Sequence, residues 1–237
     1  MKDDDQHHPS RAILFRLHRP LARYFRTKRL RQFVADFNVD STTRVLDLGG
    51  LAFYWTFLDN PPQVTIVNLE PPLDGAGPSR WVVADATRLP FRDGAFDVVF
   101  SNSLIEHIID DAGRNAFAAE VQRVGRRFHV QTPNRWFPVE PHLMTPLIHF
   151  LPQGLQRRLV RNFTLWGWVA RPTSDEAAGF LGLTKLIDRR EFRSLFPAAI
   201  ILKEKFLGLT KSFTAVGSTA QSDRVDPSAG RSSARAV

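Results

Sequence analysis

The chain has 237 residues, enough for one sizeable core, and its 43% hydrophobic and 24% charged content excludes a disordered or fibrous protein. It contains no cysteine, which excludes a disulfide scaffold, thiolate metal sites and cysteine nucleophiles. The formal charge is +8, and the basic residues from Arg11 to Arg31, with no acidic residue among them, account for all of it: the remaining 24 basic residues balance 24 acidic ones. A neutral body with a basic arm is not the spread positive surface of a nucleic-acid binder, so nucleic acid is not an expected partner.

The polar start from Met1 to Ser10, with Asp3, Asp4 and Asp5, is unlike a secretory signal, and no apolar run reaches the roughly 18 residues of a membrane span. The expectation is a cytoplasmic protein whose membrane association, where it has any, runs through residues 11–31. In that arm Ile13, Leu14 and Leu17 form a short apolar stripe, Pro20 interrupts, and Leu21, Phe25, Leu30, Phe33, Val34 and Phe37 follow a helical period. Two readings stay open: a helical cap packed on the main domain with its arginines solvated, or an arm that lies on anionic lipid or covers an acidic substrate.

From Thr43 strands alternate with helices. Arg44–Leu48, Val64–Leu69, Trp81–Ala84, Phe96–Phe100 and Phe128–Gln131 read as short apolar strands. A helical run follows Gly49-Gly50 as far as Leu58, and Arg114 to Val124 is a helix with Phe117, Val121 and Val124 on one face. This order predicts an α/β fold, a doubly wound, mostly parallel sheet. Between Thr132 and Arg190 the alternation stops, and the stretch is rich in Pro, Trp and Phe. It reads as a functional insertion or lid, with a helix near Leu155 to Phe163. A helix from Asp188 to Phe196 and two strands around Gly208 close the domain, the last of them antiparallel. Residues 1–40 are thus expected as a basic helical arm, 41–217 as the main domain, and 218–237, without aromatics, as a disordered tail.

In such a sheet ligands bind outside the carboxyl ends of the strands. Those ends carry Asp47 with Gly49-Gly50, then Glu70, then Asp85, then Ser101-Asn102. The two glycines allow a sharp turn and a close approach to a ligand. Glu70, about 20 residues beyond, is placed to accept both hydroxyls of a ribose. Asp85 can accept from an adenine amine. The phosphate-binding fingerprint G-x-G-x-x-G is missing, because Leu51 and Tyr54 stand where it wants glycines, so an adenosine without phosphates suits the turn better.

Four blocks carry a resemblance: Val45-Leu-Asp-Leu-Gly-Gly50, Val67-Asn-Leu-Glu70, Val83-Ala-Asp-Ala86 with Leu89-Pro-Phe91, and Phe96-Asp-Val-Val-Phe-Ser-Asn-Ser-Leu-Ile-Glu-His107. In this order they resemble the class I S-adenosylmethionine-dependent methyltransferases, particularly the methyltransferase type 11 group. The resemblance implies a Rossmann-like fold and S-adenosyl-L-methionine as cofactor. It implies Asp47, Gly49 and Gly50 beside the methionine part, Glu70 on the ribose, Asp85 and Ala86 at the adenine, and Ser101 lining the pocket below the sulfonium. Leu51 and Phe53 replace two glycines of the family's loop.

Methyl transfer from an activated donor is governed mainly by positioning, but a hydroxyl acceptor also needs a base. The candidates are His107 or His142, with Glu140 orienting the base. Ser-Leu-Ile-Glu-His107 also looks like the same region of ubiquinone-biosynthesis O-methyltransferases, which carry a further Glu where this chain has Ser103, a set linked to a divalent metal. With Ser103 in place, no metal is expected. The expected function is methyl transfer to a small-molecule acceptor, most readily at oxygen. The apolar insertion beside a basic arm fits an apolar or lipid-linked acceptor. An RNA or protein methyltransferase, or a non-catalytic binding protein on a degenerate fold, are the alternatives.

Overall fold

Val45, Leu46 and Leu48 are all fully buried, as in a central parallel strand that is covered on both faces. They belong to β1 (Arg44–Leu48), an interior strand of a seven-stranded sheet in this computed structural model, which describes residues 24–72, 79–140, 145–164, 167–168 and 171–219. Its other strands are β2 (Gln63–Asn68), β3 (Arg80–Val83), β4 (Phe96–Asn102), β5 (Gly125–Pro133), β8 (Ile200–Phe206) and β9 (Leu209–Ser218), in the order β3-β2-β1-β4-β5-β9-β8. The first five run parallel, and β9 is antiparallel to both β5 and β8. The expected mostly parallel sheet with an antiparallel final strand is what the chain forms.

The pleat sends alternate residues to opposite faces. One face buries Leu46, Leu48, Val99, Phe128 and Val130 under α3 (Asp111–Val124) and α6 (Arg189–Leu195). Both helices start at an aspartate cap: Asp110 accepts from the Gly113 N–H at 2.7 Å, and Asp188 from those of Arg190 and Glu191 at 2.8 and 2.9 Å. The other face buries Val45, Ile66, Val98 and Phe100 under the helix α1, described from residue 24 to 36, and under the single turn α2 (Ala52–Trp55). β8 and β9 turn through Leu207 and Gly208, both with positive φ, the tight turn that matches strand twist.

The structure departs from the sequence expectations in three places. The helical run after Gly49-Gly50 stops at Trp55 instead of Leu58, since α2 has no side-chain cap at its start and consists largely of aromatic residues of modest helix propensity. The α1 arginines are not all solvated. Arg29 is half-buried and donates to Asn102 and, at 2.9 Å, to Gln131, with Glu204 3.3 Å from its Nε, while Arg26 donates to the Tyr54 hydroxyl at 3.1 Å. The segment expected to be a disordered tail begins inside β9, and the Thr219 N–H still donates to Arg126 at 2.8 Å. The stripe at Ile13 to Leu17 and residues 220–237 lie outside the described residues.

The insertion after β5 contains a small hairpin, β6 (Val139–Glu140) with β7 (Thr145–Pro146), then α4 (Gln153–Phe163) and α5 (Ser174–Gly182). Its return strand passes back over the sheet edge, where the Lys185 N–H donates to the Glu106 carbonyl at 2.8 Å and Asn134 bridges to Ile187.

Candidate active site

The strand order reverses between β1 and β4, and the carboxyl ends diverge there to leave a crevice. A cleft of about 720 Å³ lies at these ends, within the range of small-ligand sites. Gly49 follows β1 into the cleft with φ +74°, a conformation that favours glycine. Its N–H donates to the Val67 carbonyl at 2.9 Å, and a Cβ there would press on Leu104 at 2.8 Å. At Gly50 a Cβ would collide with the Asp47 carboxylate, so the second glycine makes room for that side chain.

Of the sequence candidates, Gly49, Glu70, Asp85, Ala86 and His107 line this one cleft. Glu70 stands exposed beyond β2, and its carbonyl accepts from the Trp81 indole at 3.0 Å. Asp85 folds into a turn in which its Oδ1 accepts from both the N–H and the hydroxyl of Thr87 at 2.8 Å, while Oδ2 makes no hydrogen bond among the described residues. His107 ends a 3-10 turn (Ile105–His107), and its Nδ1 lies 3.1 Å from the Leu183 carbonyl. A carbonyl can only accept, so the neutral ring carries its proton on Nδ1 and its lone pair on Nε2.

Asp47, Gly50 and Ser101 stand behind the lining rather than in it. Asp47 is 3% exposed, with Oδ2 accepting from the Trp55 indole at 2.8 Å and Oδ1 without a hydrogen-bond partner among the described residues. Burial pushes its carboxyl up to about 7 despite that bond and the nearby Arg26 charge. Ser101, expected to line the pocket, is fully buried instead, because the pleat turns it to the α3 face, where its hydroxyl donates to the Leu48 carbonyl at 3.3 Å. Glu140 lies in β6, opposite Thr145, and His142 is outside the described residues.

Other lining residues carried no sequence signal of their own. Asn68 donates its side-chain amide to the Gly50 carbonyl at 2.9 Å and so ties the β2 end to the glycine turn. Trp81, Leu104 and Ile108 supply apolar wall. Behind Ile108, the fully buried Arg114 donates to the Ile108 and Ile109 carbonyls at 2.9 and 2.7 Å and pairs with Glu191, which fixes the wall segment against α6. Thr132 adds a hydrogen bond to buried Glu106 at 3.2 Å. Among the described residues no cluster of three or more His, Cys, Asp or Glu could hold a metal ion.

Residues 42–127, which contain β1 to β4, the whole cleft lining and α3, match a family model described as a methyltransferase domain. This segment is a methyltransferase domain. As such it belongs to an enzyme of the transferase class. No curated protein matches the chain. Among solved structures, a possible exported protein from Bordetella parapertussis is 16% identical, with 82% of this chain and 67% of that one covered and a TM-score of 0.55. A 1,6-didemethyltoxoflavin-N1-methyltransferase from Burkholderia thailandensis, solved with that compound and S-adenosylhomocysteine, is 16% identical over 78% of this chain and 74% of its own, at 0.49. A SAM-dependent methyltransferase from Methanosarcina mazei is 14% identical over 79% and 96%, at 0.47. The first likeness extends the fold beyond the methyltransferase domain to most of the chain.

Proposed function

We propose that the cleft binds S-adenosyl-L-methionine and that the protein transfers its methyl group to an apolar small-molecule acceptor at oxygen. The observation that carries this reading is the convergence of Glu70, Asp85 and Gly49 on one cleft of about 720 Å³ inside a methyltransferase domain. The residues fit the cofactor. The Glu70 carboxylate has the reach and charge to accept two ribose hydroxyls, the spare Oδ2 of Asp85 can take an adenine amine, and Trp81 and Ala86 offer flat apolar wall to the ring. Asp47, behind the lining beside Gly50, has one buried oxygen without a hydrogen-bond partner among the described residues and backs the glycine turn where the cofactor's methionine part would lie.

The bound cofactor supplies a sulfonium methyl already activated for in-line displacement. The chain's part is to orient and to remove a proton. His107 is on the cleft wall with its Nε2 lone pair set by the Leu183 carbonyl, so it serves as the base for an acceptor hydroxyl. Leu104, Ile108 and Phe53 make the neighbouring wall apolar, which suits an apolar acceptor.

Calorimetric titration with S-adenosylhomocysteine tests the first half. Saturable binding is expected, weakened about 10- to 100-fold in Glu70→Ala, the loss of one or two hydrogen bonds to a charged acceptor. No binding by the folded protein refutes the reading and leaves a binding protein on the same fold. His107→Ala is expected to keep S-adenosylhomocysteine affinity while losing transfer to hydroxyl acceptors.

A further inference from the structure

The stretch from Pro141 to Ser174 contains no aspartate or glutamate, but it holds Arg157, Arg158, Arg161 and Arg171. Within it α4 separates chemistry by face. Leu155, Leu159 and Phe163 recur every four residues along one stripe, and the three helix arginines lie off it, Arg158 toward its flank and Arg157 and Arg161 farther round. Val160 is the buried residue of α4, while Leu155 and Phe163 turn outward, at 41% and 67% exposure. Further large apolar residues are exposed on either side of the helix in the chain. Before it, Leu147 and Phe150 are exposed, and Phe150 stacks on the exposed Trp136 at 5.8 Å, whose ring also carries the Arg135 guanidinium at 5.7 Å. After it, the exposed Trp168 donates its indole N–H to the Asn162 carbonyl, so this large ring is held in place at the surface. Scattered exposed apolar residues are ordinary, but six large ones between Trp136 and Trp168, flanked by arginines and no carboxylate of α4, are a surface built for a partner.

We infer that this face of the insertion docks on an anionic lipid surface. Leu155, Phe163 and Trp168 enter the boundary between headgroups and acyl chains, and Arg157, Arg158 and Arg161 reach the lipid phosphates from the helix flank. A second copy of the chain is a poor occupant, because it would set the same arginines against each other with no acidic residue of α4 between them. RNA would use the arginines and indoles but leave Leu147, Leu155 and Phe163 in water. The insertion is tied to the cleft edge through the Lys185–Glu106 and Leu183–His107 bonds, so docking holds the cleft near the lipid surface. The inference deepens the apolar-acceptor reading and rests on it for its purpose, though its test does not depend on methyl transfer.

The full chain is sedimented with phosphatidylcholine vesicles and with phosphatidylcholine–phosphatidylglycerol vesicles at about 0.1 M salt, where exposed charges are partly screened. Wild type is expected in the pellet with the anionic vesicles. The variant Leu155→Ser/Phe163→Ser/Trp168→Ser is expected to partition at least about tenfold less, with unchanged circular dichroism. Arg157→Gln/Arg158→Gln/Arg161→Gln is expected to lose the preference for anionic over neutral vesicles. Equal sedimentation of the apolar variant and wild type overturns the inference. Binding of a single-stranded RNA that only the arginine variant loses also overturns it, as does a dimer in solution that only the apolar variant dissolves. Loss of S-adenosylhomocysteine binding with vesicle binding intact would sink the proposed function and leave the docking surface standing.

Discussion

Two buried titratable groups on the α1 face of the sheet act against each other. Asp47 has its carboxyl raised by burial from 3.8 to about 7, so the native state holds a proton that the unfolded chain has released, and stability falls as pH rises from about 4 to 7. His129, stacked on Phe100 at 5.2 Å, has its imidazole lowered from 6.5 to about 4, chiefly by burial. It must stay neutral in the fold, so its contribution is lost as pH falls through the same range. Melting temperatures measured from pH 4 to 8 are therefore expected to be nearly flat for wild type. They should rise with pH in Asp47→Asn and fall with pH in His129→Phe. A third residue-scale expectation concerns Asp85: because its Oδ1 is already used by Thr87, Asp85→Ala removes the turn as well as one ligand contact. Its loss of cofactor affinity, about 1–3 kcal/mol by calorimetry, should come with greater local mobility at Thr87. Gly49, Glu70 and Asp85 were legible in the sequence because strand ends and spacing announce them. Asn68 and Trp81 were not, since their roles are bonds to the Gly50 and Glu70 carbonyls, which no pattern of residue types reveals.

Among the elements, α1 carries more than its charge suggests. Phe33 is fully buried and packs against Phe37, Trp55, Phe100 and His129, while Leu30 and Phe37 are nearly as deep. Phe33→Ala is expected to cost about 3–5 kcal/mol in urea unfolding, the scale of a large core truncation. An exposed basic arm would give no such loss. The helical period of Leu30, Phe33 and Phe37 was readable, but the insertion of Arg29 among Asn102, Gln131 and Glu204 was not, because arginine on a basic segment looks solvated until the partners from β4, β5 and β8 are assembled. The central strands were the easiest elements to read, as continuous apolar runs buried on both faces. Helix α2 was overread, since a mixture of Phe, Tyr and Trp after a glycine turn keeps a helical spacing without the propensity or the cap to extend it.

For the molecule as a whole, the charge arithmetic and the fold must be taken together. Removing residues 1–37 to test the basic arm would also remove Leu30, Phe33 and Phe37 from the core, so lost membrane binding would only report unfolding. Replacing Arg11, Arg16, Arg19 and Arg23 by glutamine instead leaves Leu30, Phe33 and Phe37 in the chain. The variant, four positive charges poorer, is expected to bind anionic vesicles with a shallower salt dependence. The cleft gathers at the carboxyl edge of the sheet, and this could not be read from composition, because it depends on which strand ends meet.

The course of the chain across that sheet has a practical outcome. At residue 25 the polypeptide lies beside Phe206 and Lys211, at the carboxyl edge, where Lys211 Nζ sits 3.2 Å from the Phe25 ring centroid. At Thr219 it leaves β9 beside Gly125 and Arg126, at the opposite edge. A spectroscopic label fixed at residue 25 would therefore report from the cleft side of the sheet, and one fixed at Thr219 from the far side.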